Sequence, residues 1–350
     1  MLAIRKIAPE PGLVAQNVNA PGPLAAGEVR IDVAAAGICG SDVHIYEWTD
    51  GYDWMRKALP VTLGHEFAGI VAEVAPGVTD VVVGQRVTVA PSIPCGACRA
   101  CRASTPELCT ARTALGLTRD GGFAPQVNAP ALNCLPIPDH VDMEIAALTE
   151  PLAVAARAVE TGEVRLGETV VVLGPGTIGQ GIALLARAAG ARVILVGRND
   201  ALRFETLLAL GFGDLIDVAE QDLPATVRTL TGGKVDKVFE ATGAPSSIRD
   251  GLSILRDGGI LVTAGIHAKP AEFDITDFVR QKQQIRASHS SARRHWDVVQ
   301  AIMAANPEQF RPMITHRVGL AETIEGFELA HRRVASKVMV FPNGDKLGRG

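Results

Sequence analysis

The sequence predicts an α/β protein centred on a doubly wound parallel sheet, and three observations predict it. Thr169–Leu173 is a largely β-branched run that leads into Gly174-Pro175-Gly176-Thr177-Ile178-Gly179, then a helical stretch over 182–189 and a second apolar run over 192–196. Strand-like runs return over 214–218, 235–240 and 260–264, the alternation that builds a parallel sheet. The chain has 350 residues, enough for about two domains, so the sheet leaves room for a second unit.

The glycine segment sits where a strand meets a helix, the context that gives G-x-G-x-x-G a meaning. Gly174 allows the tight turn, Gly176 lets backbone approach a pyrophosphate, and Gly179 lets helix and strand pack closely. The helix N-terminus then favours the phosphates of a dinucleotide. The acid expected at the end of the second strand, for the adenosine ribose, is replaced by Gly197-Arg198-Asn199-Asp200. An arginine there pairs with a 2′-phosphate and points to NADP. Asp200, slightly displaced, could instead hold the ribose of NAD, or Arg198 could simply stack on adenine, so NADP and NAD both stay open.

Composition narrows the function classes. Hydrophobic residues make up 47% and aromatics 4%, so aliphatic side chains must build the cores. Lys+Arg 34 against Asp+Glu 38 gives a formal charge of -4, which implies no general pull toward nucleic acid or anionic membrane. The N-terminus does not read as a signal peptide. The most apolar stretch, 169–197, is broken by glycines, Pro175 and two arginines, a poor membrane span. The cytoplasm is the expected location.

Four of the six cysteines, Cys95, Cys98, Cys101 and Cys109, fall in the pattern C-x2-C-x2-C-x7-C. Two-residue gaps turn successive sulfurs inward, and a fourth thiolate completes a closed tetrahedral shell that suits a structural zinc. Redox thiols and an iron–sulfur cluster use the same residue type, but a second feature also calls for zinc. Cys39 and His65 combine a soft and a borderline ligand, and a carboxylate from Glu66 or Glu150 would make three. Three protein ligands leave a position open for chemistry. If His65 and Glu66 lie on one extended strand they face opposite ways, so both reach one metal only if the backbone kinks.

These motifs together resemble the zinc-containing medium-chain dehydrogenases over nearly the whole chain. The matching segments are Gly37 to His44 (GICGSDVH), Gly64 to Gly69 (GHEFAG), the Cys95 to Cys109 cluster, Glu150 to Ala153 (EPLA) and Gly174 to Gly179. The closest likenesses are to the sorbitol (polyol) and L-threonine dehydrogenase branches. The resemblance implies a Rossmann domain over 151–287 inserted in a GroES-like β-barrel catalytic domain, formed by 1–150 and a C-terminal return over 288–350. Segments 28–34, 68–74 and 86–90, with turns at 76–77 and 121–122, fit such a barrel.

Carried over by position, the resemblance makes Cys39, His65 and Glu66 catalytic zinc ligands. Glu150 would contact the metal directly or through water. Ser41 and His44 would form a hydroxyl–imidazole proton relay. Ile178, Arg203 and the turn Ala264-Gly265-Ile266 would contact the cofactor, together with Gly174, Gly176, Gly179 and Arg198. The implied activity is hydride transfer between a secondary alcohol, polyol or sugar-derived, and NAD(P). Oxidation of a β-hydroxy amino acid such as L-threonine is the alternative, and a homotetramer or homodimer is expected.

Two departures stand out: Arg198 replaces the usual acid, and Arg157 stands where many members have histidine. A zinc-free reductase, or a non-enzymatic cofactor-binding protein on the same fold, would show a damaged ligand set; none is visible. Tyr46, Trp48, Tyr52 and Trp54 hold both tyrosines and two of the three tryptophans, and form either a substrate-facing loop or a satellite hydrophobic cluster. Asp42, Glu47, Asp50 and Asp53 nearby either bind substrate polar groups or are simply solvated.

Overall fold

The computed structural model describes residues 1–344. It divides into two units, Met1–Glu150 together with the segment from Val299 onward, and Pro151–Val298. The second division falls inside the helix Arg293–Ala305, later than the 287/288 boundary expected from the sequence. Positions 345–350 of the expected C-terminal return lie outside the described residues.

The first unit is built on a seven-stranded sheet. Its path runs Cys134–Pro136, Arg86–Val89, Glu66–Val74, Glu28–Gly37, Lys337–Phe341 and Ile314–Gly319, with Gln126–Pro130 also pairing Glu28–Gly37. The central strand Glu28–Gly37 alternates buried and half-buried residues before becoming wholly buried from Val33 to its end. That change is what a strand shows when it passes from a half-covered to a fully covered part of a sheet. Its core is aliphatic, with Phe67, Phe123 and Phe327 completely buried among Val, Ile and Leu side chains.

Register fixes the functional end of this sheet. Gly37 pairs with Glu66 on one side and with Met339 on the other. Residues from three distant chain segments therefore meet around one glycine, directly ahead of Cys39 and the helix Gly40–Glu47.

The second unit is a six-stranded parallel sheet. Its order is Leu215–Asp217, Arg192–Gly197, Thr169–Leu173, Val235–Glu240, Leu255–Thr263 and Gln284–Ala287. The Val- and Ile-rich strands are buried almost throughout, as strands covered on both faces by helices must be. The helix after the glycine segment begins at Thr177, well over a turn before the start at 182 that the apolar periodicity predicts. Neighbours on the two sides of Thr169–Leu173 follow it in opposite directions along the sheet, so the topological switch point lies there. Among the described residues no helix is long and apolar enough to cross a membrane.

Candidate active site

The first cluster forms where Gly37 ends its strand. Cys39 is the N-cap of the helix Gly40–Glu47. Asp42, three residues on, accepts a hydrogen bond from the Cys39 N–H at 3.0 Å, half of a capping box. The same carboxylate is completely buried, and its other oxygen lies 3.3 Å from His65 Nδ1. A carboxylate behind a histidine orients the ring and leaves the second nitrogen for a ligand. That nitrogen, His65 Nε2, lies 3.4 Å from Ser41 Oγ.

The backbone kink required for His65 and Glu66 to converge is present. Gly64 has φ +91°, and an added Cβ there would lie 2.8 Å from the Phe123 ring and backbone. His65 precedes the strand and Glu66 begins it, so the alternation of strand side chains does not separate them. Ligand atoms of Cys39, His65 and Glu66 lie within 4.8 Å of one another. Glu150 stands outside that cluster but feels its charges. Burial raises its carboxyl to about 7, the His65 charge opposes this, and Glu66 adds to it.

Lys337 had no place in the sequence reading. Its Nζ donates to Glu66 Oε2 at 2.6 Å and to the Ile38 carbonyl at 2.9 Å, and both partners of the ion pair are 2% exposed or less. The only signal for it is a lysine at the head of an otherwise apolar strand. With Oε2 taken, Glu66 Oε1 is buried without a hydrogen-bond partner, a costly state unless something cationic or protic approaches it. Burial alone would push the His65 imidazole down, yet Asp42 and Cys39 outweigh it and hold the group well above its ordinary range. The pocket stabilises positive charge. An orphaned carboxylate oxygen, a thiol and an imidazole in such a field fit a zinc ion.

The expected Ser41–His44 contact is not made directly: His44 Nδ1 lies 3.2 Å from Thr49 Oγ1. The aromatic quartet separates. Tyr46 bonds Glu328 and packs at 5.7 Å from Phe327, Trp48 lies against Lys6 and Arg56, and Trp54 is exposed. Tyr52 is buried against His44. The acidic residues separate too. Asp42 is covered beneath His65, Glu47 pairs with His331 at 2.8 Å, and Asp53 pairs with Arg56 at 2.9 Å.

The second cluster holds Cys95, Cys98, Cys101 and Cys109, with all four sulfurs within 4.8 Å of each other. Cys98 and Cys101 sulfurs are 3.5 Å apart and Cys95 and Cys101 sulfurs 4.0 Å, far longer than a disulfide. Four thiolates at ~2.3 Å from a shared centre would be about 3.8 Å apart, so the spacing fits a tetrahedral ion. Backbone N–H bonding pulls the Cys98 thiol down to about 6, while burial and neighbouring sulfurs push Cys101 up to about 12. Protein groups alone leave Cys101 protonated; a divalent cation at the centre would ionise it.

In the second unit Gly174 has φ +107°, and an added Cβ would lie 2.9 Å from the Ala241 carbonyl oxygen. A Cβ at Gly179 would strike the Gly174 oxygen at 1.8 Å, whereas one at Gly176 would project into open space. That space at a helix N-terminus, beside the switch point, fits a pyrophosphate. Ile178 lies in the first turn of that helix. The turn Ala264-Gly265-Ile266 knits to the neighbouring loop, since a Cβ at Gly265 would lie 2.4 Å from Gly243 N. Arg198 is exposed at the end of the second strand. Asp200 accepts from the Arg198 N–H at 3.1 Å and faces Arg203 at 3.4 Å.

Comparison with known proteins agrees with both halves. The alcohol dehydrogenase GroES-like domain matches 25–139, and the zinc-binding dehydrogenase domain matches 177–305. The chain is 34% identical over 319 residues to a sorbitol dehydrogenase of Halalkalibacterium halodurans, covering 90% of this chain and 92% of that one. It is also 34% identical over 346 residues to an L-threonine 3-dehydrogenase of Bacillus licheniformis, covering 98% and 99%. The crystal structure of 2R,3R-butanediol dehydrogenase from Bacillus subtilis superposes with a TM-score of 0.87 at 30% identity, over 98% of this chain and 99% of that one. The chain therefore belongs to the zinc-dependent medium-chain alcohol dehydrogenase family, NAD(P)-dependent oxidoreductases with a GroES-like domain and a Rossmann domain.

Proposed function

We propose that this protein oxidises a neutral polyol or sugar-derived secondary alcohol, with NADP preferred over NAD. The observation that carries the substrate class is the commitment of four of the charged side chains named around the Cys39 cluster. Lys337 is locked to Glu66, Asp42 to His65 and Cys39, Glu47 to His331 and Asp53 to Arg56. A polyol needs none of them, whereas a β-hydroxy amino acid brings an ammonium and a carboxylate that each require a partner.

Cys39, His65 and Glu66 would hold the catalytic zinc, with Glu150 close enough to tune it, and the four-cysteine cluster would hold the structural zinc. Zinc supplies polarisation of the alcohol oxygen, and the oxidised nicotinamide supplies the hydride acceptor. The protein's own part is to move the proton. Ser41 Oγ, beside His65, would receive it, and His44, held by Thr49, would pass it outward across the gap between the two side chains. The alcohol thus loses one proton and one hydride and leaves as a ketone.

The cofactor preference rests on Arg198. Its guanidinium makes no hydrogen bond or ion pair in the structure, among the described residues. The nearby carboxylates are occupied: Asp200 as above, Asp217 by the Asn199 N–H at 3.1 Å, and Asp250, which feels the Arg198 charge, by Arg249 at 3.8 Å. A free arginine suits a 2′-phosphate. Gly174, Gly176, Ile178, Gly179, Arg203 and the 264–266 turn would complete the dinucleotide site.

A panel of polyols and L-threonine, run with NADP and NAD in parallel on wild type and Arg198→Asp, tests these assignments. Polyol oxidation with NADP is expected, and the variant should lose its NADP preference. Turnover of L-threonine alone would replace the substrate class, and an unchanged cofactor ratio would remove the role of Arg198.

We also infer a homo-oligomer. The strand Gln284–Ala287 is an open sheet edge with Ile285 exposed, near a helix whose Ile275 and Val279 are 60% and 65% exposed. Uncovered edges and apolar surface favour pairing; a monomer mass by light scattering would refute it. Six free cysteines suit a reducing compartment, so we place the chain in the cytoplasm, which fractionation checks.

A further inference from the structure

Of the four aromatic residues between 46 and 54, three are accounted for by protein contacts or exposure; Tyr52 is not. The residue is 8% exposed. Its ring stacks on the His44 imidazole, with centroids 6.0 Å apart and planes 19° apart, and leans on Trp54 at 6.4 Å. Its phenolic oxygen has no hydrogen-bond partner among the described residues and still reaches solvent, and the charges it feels are Cys39 first, then Asp42 and His65. A buried tyrosine ordinarily satisfies its hydroxyl. One left open beside a three-ligand cluster is a donor waiting for a group that arrives with the substrate.

We propose that Tyr52 is a specificity-determining residue whose hydroxyl donates a hydrogen bond to the oxygen on the carbon next to the reacting carbinol, so that the site selects vicinal diols over simple secondary alcohols. The inference rests on the polyol reading above and narrows it. The reacting oxygen belongs at Cys39, His65 and Glu66, and Tyr52 stacks on His44 of the helix that Cys39 caps and feels the Cys39 charge before those of Asp42 and His65. A donor placed there meets the neighbouring oxygen of the substrate. Burial, with the charges of Cys39 and Asp42, raises the phenol above its ordinary range, so the group stays a neutral donor at every working pH. Stacking on His44 holds the ring, which limits the entropy lost when the bond forms.

Selectivity arises here in the way sites built around a hydroxyl do: a substrate lacking the partner oxygen covers the donor and displaces its water without replacing the bond.

The test compares zinc-loaded full-length wild type with Tyr52→Phe, which keeps the ring and removes the hydroxyl. The substrates are 2,3-butanediol and 2-butanol, with saturating NADP. The ratio of kcat/KM for the diol to that for 2-butanol should fall about tenfold, the worth of one hydrogen bond. The Kd of the diol for the zinc-loaded enzyme without nucleotide, by calorimetry, should rise by a similar factor. Zinc content, and the visible spectrum of cobalt-substituted protein, should not change. An unchanged ratio would overturn the proposal. So would equal losses on both substrates with an altered cobalt spectrum, which would make Tyr52 a partner of Cys39 instead. If wild type oxidises neither alcohol, the polyol reading itself fails, and the proposal falls with it before the variant is compared.

Discussion

Gly37 shows how much chemistry one missing side chain admits. A Cβ at this position would lie 2.3 Å from Glu66 Oε2 and 3.4 Å from Lys337 Cδ, so the buried ion pair occupies the space that alanine would fill. Gly37→Ala must push the Glu66 carboxylate away from Cys39 and His65. The expected outcome is a fall from roughly two zinc per chain to roughly one, since the closed four-cysteine shell is untouched. Elemental analysis with activity measured in parallel checks this; two retained zinc ions with normal turnover would remove the role given to the glycine. GICGSDVH and GHEFAG were legible as segments that could supply one cluster because each candidate ligand lies in a short local motif, and the fold does bring Cys39, His65 and Glu66 together. Lys337 was not, because it meets Glu66 across 271 positions of chain. Only the pairing of Gly37 with both Glu66 and Met339 brings them together.

Among elements, the segment from Ser92 to Ala114 has the least to hold it. It contains a two-residue strand pair, a four-residue helix and a short 3₁₀ turn. Cys95 is exposed, and within its cluster only Cys109 is buried. Elements this short carry no stability of their own, so an ion held by the four cysteines would supply it. Replacing Cys101 by serine should therefore leave this segment open to protease while the strands around Gly37 stay protected. Hydrogen exchange resolved by peptide reads this directly, and equal protection in variant and wild type would show that the metal is dispensable for local order. Spacing alone made this element legible, since the cysteines are close in sequence. The helix after the glycine segment was read less well. Thr177 to Gly181 lack the apolar periodicity on which such readings depend, yet they are helical because Gly176 caps the start and the tail packs on the sheet.

At the scale of the whole molecule, acid stability follows from carboxylates held below their ordinary range in both units. In the first, Arg119 overcomes the burial of Glu28, and Arg311 lowers Glu308. In the second, Arg294 and His295 lower Glu160 to about 2, and Glu240 is lowered despite its burial. Each such group binds protons more readily unfolded than folded. Its stabilisation is thus complete above the ordinary carboxylate value and is lost as pH falls toward the folded value. The sheet architecture was legible from strand runs, but this network was not, because its partners are distant and chosen by packing. Glu240 should weigh most. It is completely buried, and its Oε1 accepts from Thr242 N and Oγ1, Gly243 N and Ser247 Oγ at 2.5–2.9 Å, with His267 Nε2 on Oε2 at 2.9 Å. Glu160 is half exposed, where solvent and salt reduce the worth of a pair. Glu240→Gln is therefore expected to cost about 1–3 kcal/mol at neutral pH and to flatten the decline in stability below pH 4.5, its ordinary value. Glu160→Gln should change both far less. Urea midpoints from pH 7 to pH 3 for the three proteins decide it, and a Glu240→Gln acid limb as steep as that of wild type would show that the buried carboxylate does not couple folding to protons.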